Sequence, residues 1–402
     1  MQISSPVVQE SLTWLTESLD QVLDETVHLC CIPAPTFEEA ERAAYVAERM
    51  RAIGLSEVHI DSIHNVTGIL SADSASPTTL VAAHIDTVFP RATPLQVRRT
   101  ERRLYGPGIG DNCVAVAAML SVATAMRRLQ PTLPGRVIFA ANVGEEGLGN
   151  LCGIRALLDT WQGQVDTVLA VEGHGIDELR TTGIGSTRLE VTFTGPGGHS
   201  WGAFGTPSAI HAMGSAIHKI AQWTVPQDPK TTFNVGIVEG GGSVNTIAPR
   251  ATMLVDLRSL QPTQLTQLES RVECLCQEVQ CDTGVQVTSR VVGQRPAAAL
   301  DSDHPLCHGV NAIRQYLHLR PAVFSAASTD ANLPLSLGIP AVCLGITRGA
   351  LAHTVQEYID TAPVVGGLQQ LLLTILHSLQ LEAHEKPQAA SGPAEIVLTA
   401  AR

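Results

Sequence analysis

Short apolar runs alternate with amphipathic segments along most of the chain. Runs of strand length are followed by longer stretches in which apolar residues recur at helical spacing. This order repeats from Thr79 to Glu172 and resumes from Pro296 to about Leu381. A β-α-β rhythm of this kind indicates a mixed, mainly parallel sheet with helices on both faces. The predicted fold class is therefore α/β.

Two segments depart from this rhythm. Residues 11–55 show helical spacing interrupted by Pro33 and Pro35, which predicts two helices flanking a loop. Residues 183–292 show the order strand, helix, strand, strand, helix, strand. The predicted strands are 186–194, 232–238, 252–258 and 285–291, and the predicted helices are 207–223 and 263–279. This β-α-β-β-α-β order is that of a ferredoxin-like unit, which can bury a core of its own.

The change of pattern predicts a smaller domain inserted into a larger one. We expect the larger domain to comprise residues 1–182 and 293–382, and the inserted ferredoxin-like domain to comprise residues 183–292. Residues 383–402 contain two prolines and a glycine but no helical or strand period, which predicts a mobile tail.

Composition narrows the choice of partners and compartment. Apolar residues make up 44% of the chain against 16% charged residues, so a large core is expected. The net charge of −12 argues against binding to a phosphate backbone. The longest apolar run, Val114 to Met126, is shorter than a membrane helix, and no signal peptide pattern is present. Nine cysteines, an odd number, favour reduced thiols. We therefore expect a cytoplasmic protein with neither nucleic acid nor membrane as a partner.

Five clusters of histidine and carboxylate residues lie just past apolar runs, where open α/β sheets place their ligand sites. His84 and Asp86 are two residues apart and point to one face of an extended segment. Asp86 could then hold one ring nitrogen of His84 while the other nitrogen binds a metal. A histidine capped by a surface aspartate is the alternative.

Two further clusters are acidic. Asp111 follows glycines at positions 106, 108 and 110, which permit tight turns and let its side chain project into a crevice. A helix N-cap is the alternative role for Asp111. Glu145 and Glu146 are adjacent in a glycine-rich loop, so one could bind a metal while the other accepts a proton from water. A solvated acidic loop is the alternative there.

Glu172, which is followed by His174, and His353 complete the set. Each of these last two clusters is weak evidence by itself. Together the clusters offer two histidines and three carboxylates as ligands, with a fourth carboxylate as a base. Zinc prefers such nitrogen and oxygen ligands at low coordination number. The inventory predicts two Zn²⁺ ions per subunit that share a bridging aspartate, with Co²⁺ or Mn²⁺ as substitutes.

The order of these motifs resembles the dinuclear zinc family of aminoacylases, glutamate carboxypeptidases, peptidase T and acetylornithine deacetylase. The resemblance extends from about Leu12 to Leu381 and implies a zinc-exopeptidase-like fold. Its most specific stretches are AHIDTVFP at 83–90, YGPGIGDN at 105–112, NVGEEGLGN at 142–150, FTGPGGHSWGAFG at 193–205, STDANLPLSLGIPA at 328–341 and AHTVQEY at 352–358.

The resemblance implies a role for each candidate residue. One zinc would be held by His84, Asp111 and Glu172, and the other by Asp111, Glu146 and His353. Glu145 would be the general base, Asp86 would tune His84, and His199 would stabilise the oxyanion in the neighbouring subunit's active site. Asn245 and Arg258 would hold the carboxylate or backbone of the substrate. A cis peptide between Asp111 and Asn112 is also implied.

The implied reaction is hydrolysis of an amide bond by a zinc-activated water. We expect an exopeptidase acting on small peptides, with an N-acyl-amino-acid amidohydrolase as the alternative and a non-catalytic binding protein on the same fold as a third interpretation. The inserted domain would serve as a lid and form a homodimer. The chain departs from the family at Cys113, where many relatives have lysine, and at Glu172, where closer relatives often have aspartate. His174 matches no family role and is interpreted as structural.

Overall fold

The computed structural model of the protein describes residues 3–71, 77–129 and 133–381. The predicted tail at 383–402 lies outside these residues. The helices are α1 Pro6–Glu17, α2 Leu19–Cys30, α3 Ala40–Ile53, α4 Val114–Arg127, α5 Cys152–Thr160, α6 Ala209–Ala221, α7 Pro262–Thr283, α8 Pro305–Tyr316, α9 Asn332–Ser336 and α10 Val364–Ser378. The first ten strands are β1 Ser56–Ile60, β2 Val66–Ser71, β3 Thr78–His84, β4 Arg98–Arg99, β5 Arg103–Tyr105, β6 Arg136–Asn142, β7 Thr167–His174, β8 Glu178–Gly183, β9 Gly185–Thr194 and β10 Gly198–His199. The others are β11 Thr231–Gly240, β12 Thr246–Ile247, β13 Arg250–Ser259, β14 Gln286–Arg295, β15 Ala298–Ala299, β16 Val323–Ala327, β17 Ala341–Thr347, β18 Gly349–Ala350 and β19 Tyr358–Asp360.

A mixed sheet with parallel central strands forms the middle of the protein. Among the described residues its order is β1-β2-β6-β3-β7-β17-β8-β15, and β16 also pairs with β8. The strands β6, β3, β7 and β17 are parallel to one another, whereas β1, β2 and β15 pair antiparallel. The predicted fold class is confirmed, and the parallel centre brings the carboxyl ends of four strands to one edge.

Helices cover both faces of this sheet because its central strands are apolar on both sides. In β3, Val81 and Ala83 belong to a core that also contains α4 and α10 residues. Leu80 and Ala82 point the other way and pack with residues of α5. A strand buried on both faces reads as a continuous apolar run, and the length of that run located the strand in the sequence.

A second sheet lies in the segment predicted as the inserted domain, although its strand β14 continues to Arg295, past the predicted limit at residue 292. Its order is β11-β13-β9-β14, with every neighbouring pair antiparallel. Residues of α6 and α7 share a separate core with alternate residues of β9 and β13. The order of the four strands is that expected of a ferredoxin-like unit. The domain limits remain a prediction.

A small third sheet was not expected from the sequence. It has the order β18-β19-β5-β4, and Tyr358 pairs with Tyr105 across it. The strands are only two or three residues long, too short to leave a periodic pattern. This sheet brings the segment that contains His353 beside the turn that contains Asp111.

One other expectation is wrong in detail. The first predicted helix is two helices, α1 and α2, which are separated at Ser18 without a proline or glycine to signal the break.

The helical segment Ile109–Arg127 is long and apolar enough to cross a membrane by length and composition alone, although its most apolar window is 89% buried inside the protein. Such burial is typical of a core helix.

Candidate metal centre

The candidate site lies at the carboxyl edge of the parallel strands. His84 is the last residue of β3, and Glu172 lies on the neighbouring strand β7. Sequence analysis placed Glu172 after its strand, but β7 continues to His174 because it stays paired with β17. The turn before α4 packs against β7, where the Asn112 side chain donates to the Val171 carbonyl (2.9 Å) and accepts from Gly173 N–H (2.9 Å). The Asp111–Asn112 peptide is cis, as the resemblance implied.

The first group of donors surrounds His84, which is almost completely buried. Its Nε2 lies 3.2 Å from Asp111 Oδ1 and 3.8 Å from Glu172 Oε2. Its Nδ1 lies 3.2 Å from the Asp86 carbonyl and 3.4 Å from the Asp86 carboxylate. The ring is therefore held from one side, and the opposite nitrogen faces two carboxylates, which is the arrangement expected of a braced metal ligand.

Asp86 also fixes the acidic loop. Its carboxylate accepts hydrogen bonds from Glu145 N–H (3.0 Å), Glu146 N–H (2.9 Å) and the Thr36 hydroxyl (2.9 Å). Burial opposes the charge, but the His84 contact and these backbone donors outweigh it and lower the pKa of Asp86. Asp86 therefore remains a carboxylate that positions both β3 and the loop after β6.

The second group of donors surrounds His353. Its Nε2 lies 3.1 Å from Asp111 Oδ2 and 3.1 Å from Glu146 Oε1. Asp111 thus presents one oxygen to each histidine. These two hydrogen-bonding contacts raise the pKa of His353 to about 10. Protons and metal ions compete for such a nitrogen, so metal affinity falls on acidification.

Glu357, which sequence analysis did not single out, holds the Asp111 turn. Its buried carboxylate accepts from the backbone N–H groups of Gly108 (2.8 Å), Gly110 (3.0 Å) and Asp111 (2.8 Å). His174 Nε2 lies 2.8 Å from the same carboxylate. The contact agrees with a structural role for His174. Only the sequence position of Glu357, four residues after His353, could have suggested it.

Both groups suit a divalent metal. The ligand atoms of His84, Asp111 and Glu172 lie within 4.8 Å of one another, and so do those of Asp111, Glu146 and His353. Buried carboxylates repel one another unless a cation lies between them. The mixture of imidazole nitrogen and carboxylate oxygen, shared through one aspartate, fits a pair of divalent metal ions.

Glu145 belongs to neither group but lies beside them. Its carboxylate accepts from Arg295 Nη1 (2.9 Å), and Arg295 Nη2 also donates to the Glu145 carbonyl. Burial raises the pKa of Glu145 well above its usual range, and the charge of Arg295 opposes that rise. Sequence analysis missed Arg295, since the two residues lie 150 positions apart. Glu145 is therefore outside both donor groups, and neither group needs its carboxylate to be complete.

These residues line one cavity of about 530 Å³. Asp111, Glu145, Glu146, Glu172 and His353 form part of its wall. The remaining lining includes the arginines Arg180, Arg188, Arg258 and Arg295. Arg258, which the resemblance implies to be a substrate ligand, is therefore part of the cavity wall.

His199 and Asn245 lie elsewhere. Strand β10, which ends at His199, pairs with β12, and Ser200 N–H donates to the Asn245 carbonyl (3.0 Å). Both residues are exposed, and neither lines the cavity. The neighbouring Trp201 and Phe204 are 89% and 93% exposed. Within one chain, then, the structure does not bring His199 or Asn245 to the candidate metal centre.

Comparisons with known proteins identify a family and a common fold. A model of peptidase family M20/M25/M40 matches residues 80–377. The acetylornithine deacetylase of Myxococcus xanthus is 24% identical over 384 residues, covering 91% of this chain and 96% of that protein. A tripeptidase from Staphylococcus aureus has a similar structure, with a TM-score of 0.75 and 21% identity, covering 90% of this chain and 99% of that one. A dinuclear metal-binding peptidase from Bacillus subtilis gives a TM-score of 0.68 at 16% identity, covering 92% and 99%.

Proposed function

The chain belongs to peptidase family M20/M25/M40 and is a metal-dependent hydrolase, and we propose that it acts as an exopeptidase that cleaves an amide bond in small peptides. The observation that carries this proposal is the pair of donor groups joined at Asp111, with Glu145 beside them but outside both sets. An N-acyl-amino-acid amidohydrolase is the second candidate, favoured by the similarity to an acetylornithine deacetylase.

The proposal assigns roles to the residues of the cavity. His84, Asp111 and Glu172 would hold one Zn²⁺, and Asp111, Glu146 and His353 the other, with Co²⁺ or Mn²⁺ as substitutes. When bound, such ions polarise a carbonyl and acidify a water molecule. Glu145 accepts the proton of the attacking water and returns it to the leaving nitrogen. Arg258 binds the carboxylate of the substrate, for which its planar guanidinium is suited.

We also propose that the protein is a cytoplasmic homodimer. All nine cysteines are free, which fits a reducing compartment. The strand β11 forms an edge of the second sheet and exposes Ile237 and Val238, and Trp201 and Phe204 project beside His199. Exposed apolar residues of this kind mark an interaction surface. A partner that covers them would let His199 and Asn245 reach the other subunit's cavity.

The function is tested by hydrolysis of a panel of dipeptides, tripeptides and N-acyl amino acids. We expect hydrolysis that stops after treatment with a chelator and returns on addition of Zn²⁺, Co²⁺ or Mn²⁺, because the five donor residues form two groups suited to a divalent metal. Release of free amino acid is the measurement. Cleavage of peptides alone supports the exopeptidase, and cleavage of N-acyl amino acids alone replaces it with the deacylase. Hydrolysis that persists at full rate without metal would refute both.

The action of His199 across the interface is tested by mixing two inactive variants, Glu145→Ala and His199→Ala. If His199 serves the partner's cavity, a mixed dimer contains one site with both residues intact. Random exchange of equal amounts makes about half of the dimers mixed, so the sample should regain about a quarter of the wild-type activity. Tagged subunits show whether exchange has occurred. No recovery in an exchanged sample, or full activity of a monomer, would rule the trans arrangement out.

A further inference from the structure

Three of the arginines in the cavity come from one end of the second sheet. Arg188 lies on β9, Arg258 on β13 and Arg295 on β14. Ser186 of β9 is paired with Arg258 on one side and with Arg295 on the other. Arg188 is two residues from Ser186, so its side chain is on the same face of the sheet. That face is opposite to the one that packs on α6 and α7, and its end forms a wall of the cavity.

The positive charges of the four arginines that line the cavity are not compensated equally. Arg295 is paired with Glu145 at 2.9 Å, and Arg180 is 3.3 Å from Glu178. Arg188 and Arg258 instead share a single carboxylate. Asp256 Oδ1 lies 3.4 Å from Arg188 Nε, and Asp256 Oδ2 lies 2.7 Å from Arg258 Nε. Two guanidinium groups therefore face the cavity with one negative charge between them.

The two guanidinium groups also keep donors for a ligand. Arg188 uses Nε for Asp256 and Nη1 for the Gly147 carbonyl, and Arg258 uses only Nε. Within residues 3–71, 77–129 and 133–381, no hydrogen bond is made by Arg188 Nη2 or by either terminal nitrogen of Arg258. Both side chains are partly exposed and line the cavity. They are held in place by Asp256 and Gly147. Arg258 keeps both terminal nitrogens for a carboxylate, and Arg188 keeps one, Nη2.

We propose that Arg188 and Arg258 form a paired carboxylate site and that the preferred substrate carries a second carboxylate besides the one bound by Arg258. This inference rests on the proposed function, since it selects among the substrates of that same site. One carboxylate on Arg258 balances the charge that the two guanidinium groups and Asp256 leave over, but it does not use the free Nη2 of Arg188. A second carboxylate would accept from that nitrogen. The second carboxylate could belong to a dicarboxylic acyl group or to an acidic side chain, and these sources need separate substrates.

The competing interpretation is that Arg188 has only a structural role. Its bond to the Gly147 carbonyl joins the second sheet to the loop that follows Glu146. Loss of a purely structural contact would lower kcat/KM for every substrate by the same factor. Loss of a carboxylate ligand would weaken only the hydrolysis of substrates with the second carboxylate. The ratio of kcat/KM for a charged substrate to kcat/KM for its neutral isostere distinguishes these roles.

The test compares kcat/KM for two matched pairs. N-acetyl-L-glutamate is paired with N-acetyl-L-glutamine, and N-succinyl-L-alanine with the corresponding succinamide. We expect the wild type to favour the charged member of at least one pair by about 10-fold or more, the scale of a hydrogen bond to a charged group. Arg188→Gln should remove most of that preference. Arg290→Gln, on the same sheet but paired with Glu190 outside the cavity lining, should retain it. Equal rates within both pairs, or an equal loss for both members in Arg188→Gln, would overturn the proposal.

A binding measurement separates this proposal from the proposed function. Glutarate and its monoamide, glutaramate, are titrated calorimetrically into the wild type, Arg188→Gln and Arg290→Gln. Tighter binding of glutarate that depends on Arg188 supports the carboxylate pair even if no peptide or N-acyl amino acid is hydrolysed, in which case the proposed function fails alone. Hydrolysis of neutral substrates together with equal binding of glutarate and glutaramate would reject the pair and leave the proposed function standing.

Discussion

Replacing Glu145 with glutamine should lower kcat by about 10²–10⁴-fold, the range typical for loss of a general base. The glutamine side chain has nearly the same shape and can still accept a hydrogen bond from Arg295, but it cannot accept the proton of water. Neither donor group includes Glu145, so two metal ions per subunit should remain bound. Steady-state kinetics and elemental analysis of the same preparation measure the two quantities.

Glu190→Gln is a suitable control for this variant. Glu190 is also paired with an arginine, Arg290, but lies outside the cavity lining. Its replacement should leave kcat unchanged within about twofold, since surface ion pairs contribute little. If Glu145→Gln instead loses a metal ion while Glu146→Gln keeps both, the roles of the two adjacent glutamates are exchanged.

Asp111→Asn should remove the binding of both metal ions, whereas His353→Ala should weaken chiefly the second. The reason is that Asp111 presents Oδ1 to His84 and Oδ2 to His353, so it is the common member of both groups. Metal catalysis supplies several kcal/mol, and each 1.36 kcal/mol is tenfold in rate, so activity should fall by at least about 10³-fold. The metal content of dialysed protein and kcat/KM are measured together.

The control for this experiment is Asp282→Asn. This variant changes an exposed aspartate of α7 that is paired with Lys219 of α6. It should keep both metal ions and full activity. The assignment of Asp111 as a shared ligand would be wrong if Asp111→Asn retained two metal ions at wild-type affinity. Thermal unfolding of each variant shows whether a lost metal reflects a lost ligand or a lost fold.

Sequence patterns located the central strands and the clusters that follow them, because buried parallel strands are continuous apolar runs and their ends meet at one edge. His84, Asp111, Glu146, Glu172 and His353 converge in the structure as the resemblance implied. Their roles as ligands remain a prediction.

Contacts between distant parts of the chain could not be read from the sequence. Arg295 reaches Glu145 only because β14 pairs with β9 at the end of the second sheet. Glu357 reaches the Asp111 turn through the short strands β5 and β19, which carry no periodic signal. In both cases the partner is chosen by tertiary packing, so local propensity and spacing hold no information about it.

The hydrogen bonds between Glu357 and the Asp111 turn also determine when the site can form during protein synthesis. The two residues are separated by 246 positions, and His353 follows Glu146 by 207. At a translation rate of 5–20 residues per second, the ribosome adds the intervening stretch over a period on the order of ten to fifty seconds. Once Glu172 has been added, the nascent polypeptide carries His84 and the carboxylates of both donor groups, but it lacks His353 and Glu357 until the end of that interval. Assembly of the complete pair of donor groups is therefore a late event, which follows synthesis of His353 and Glu357.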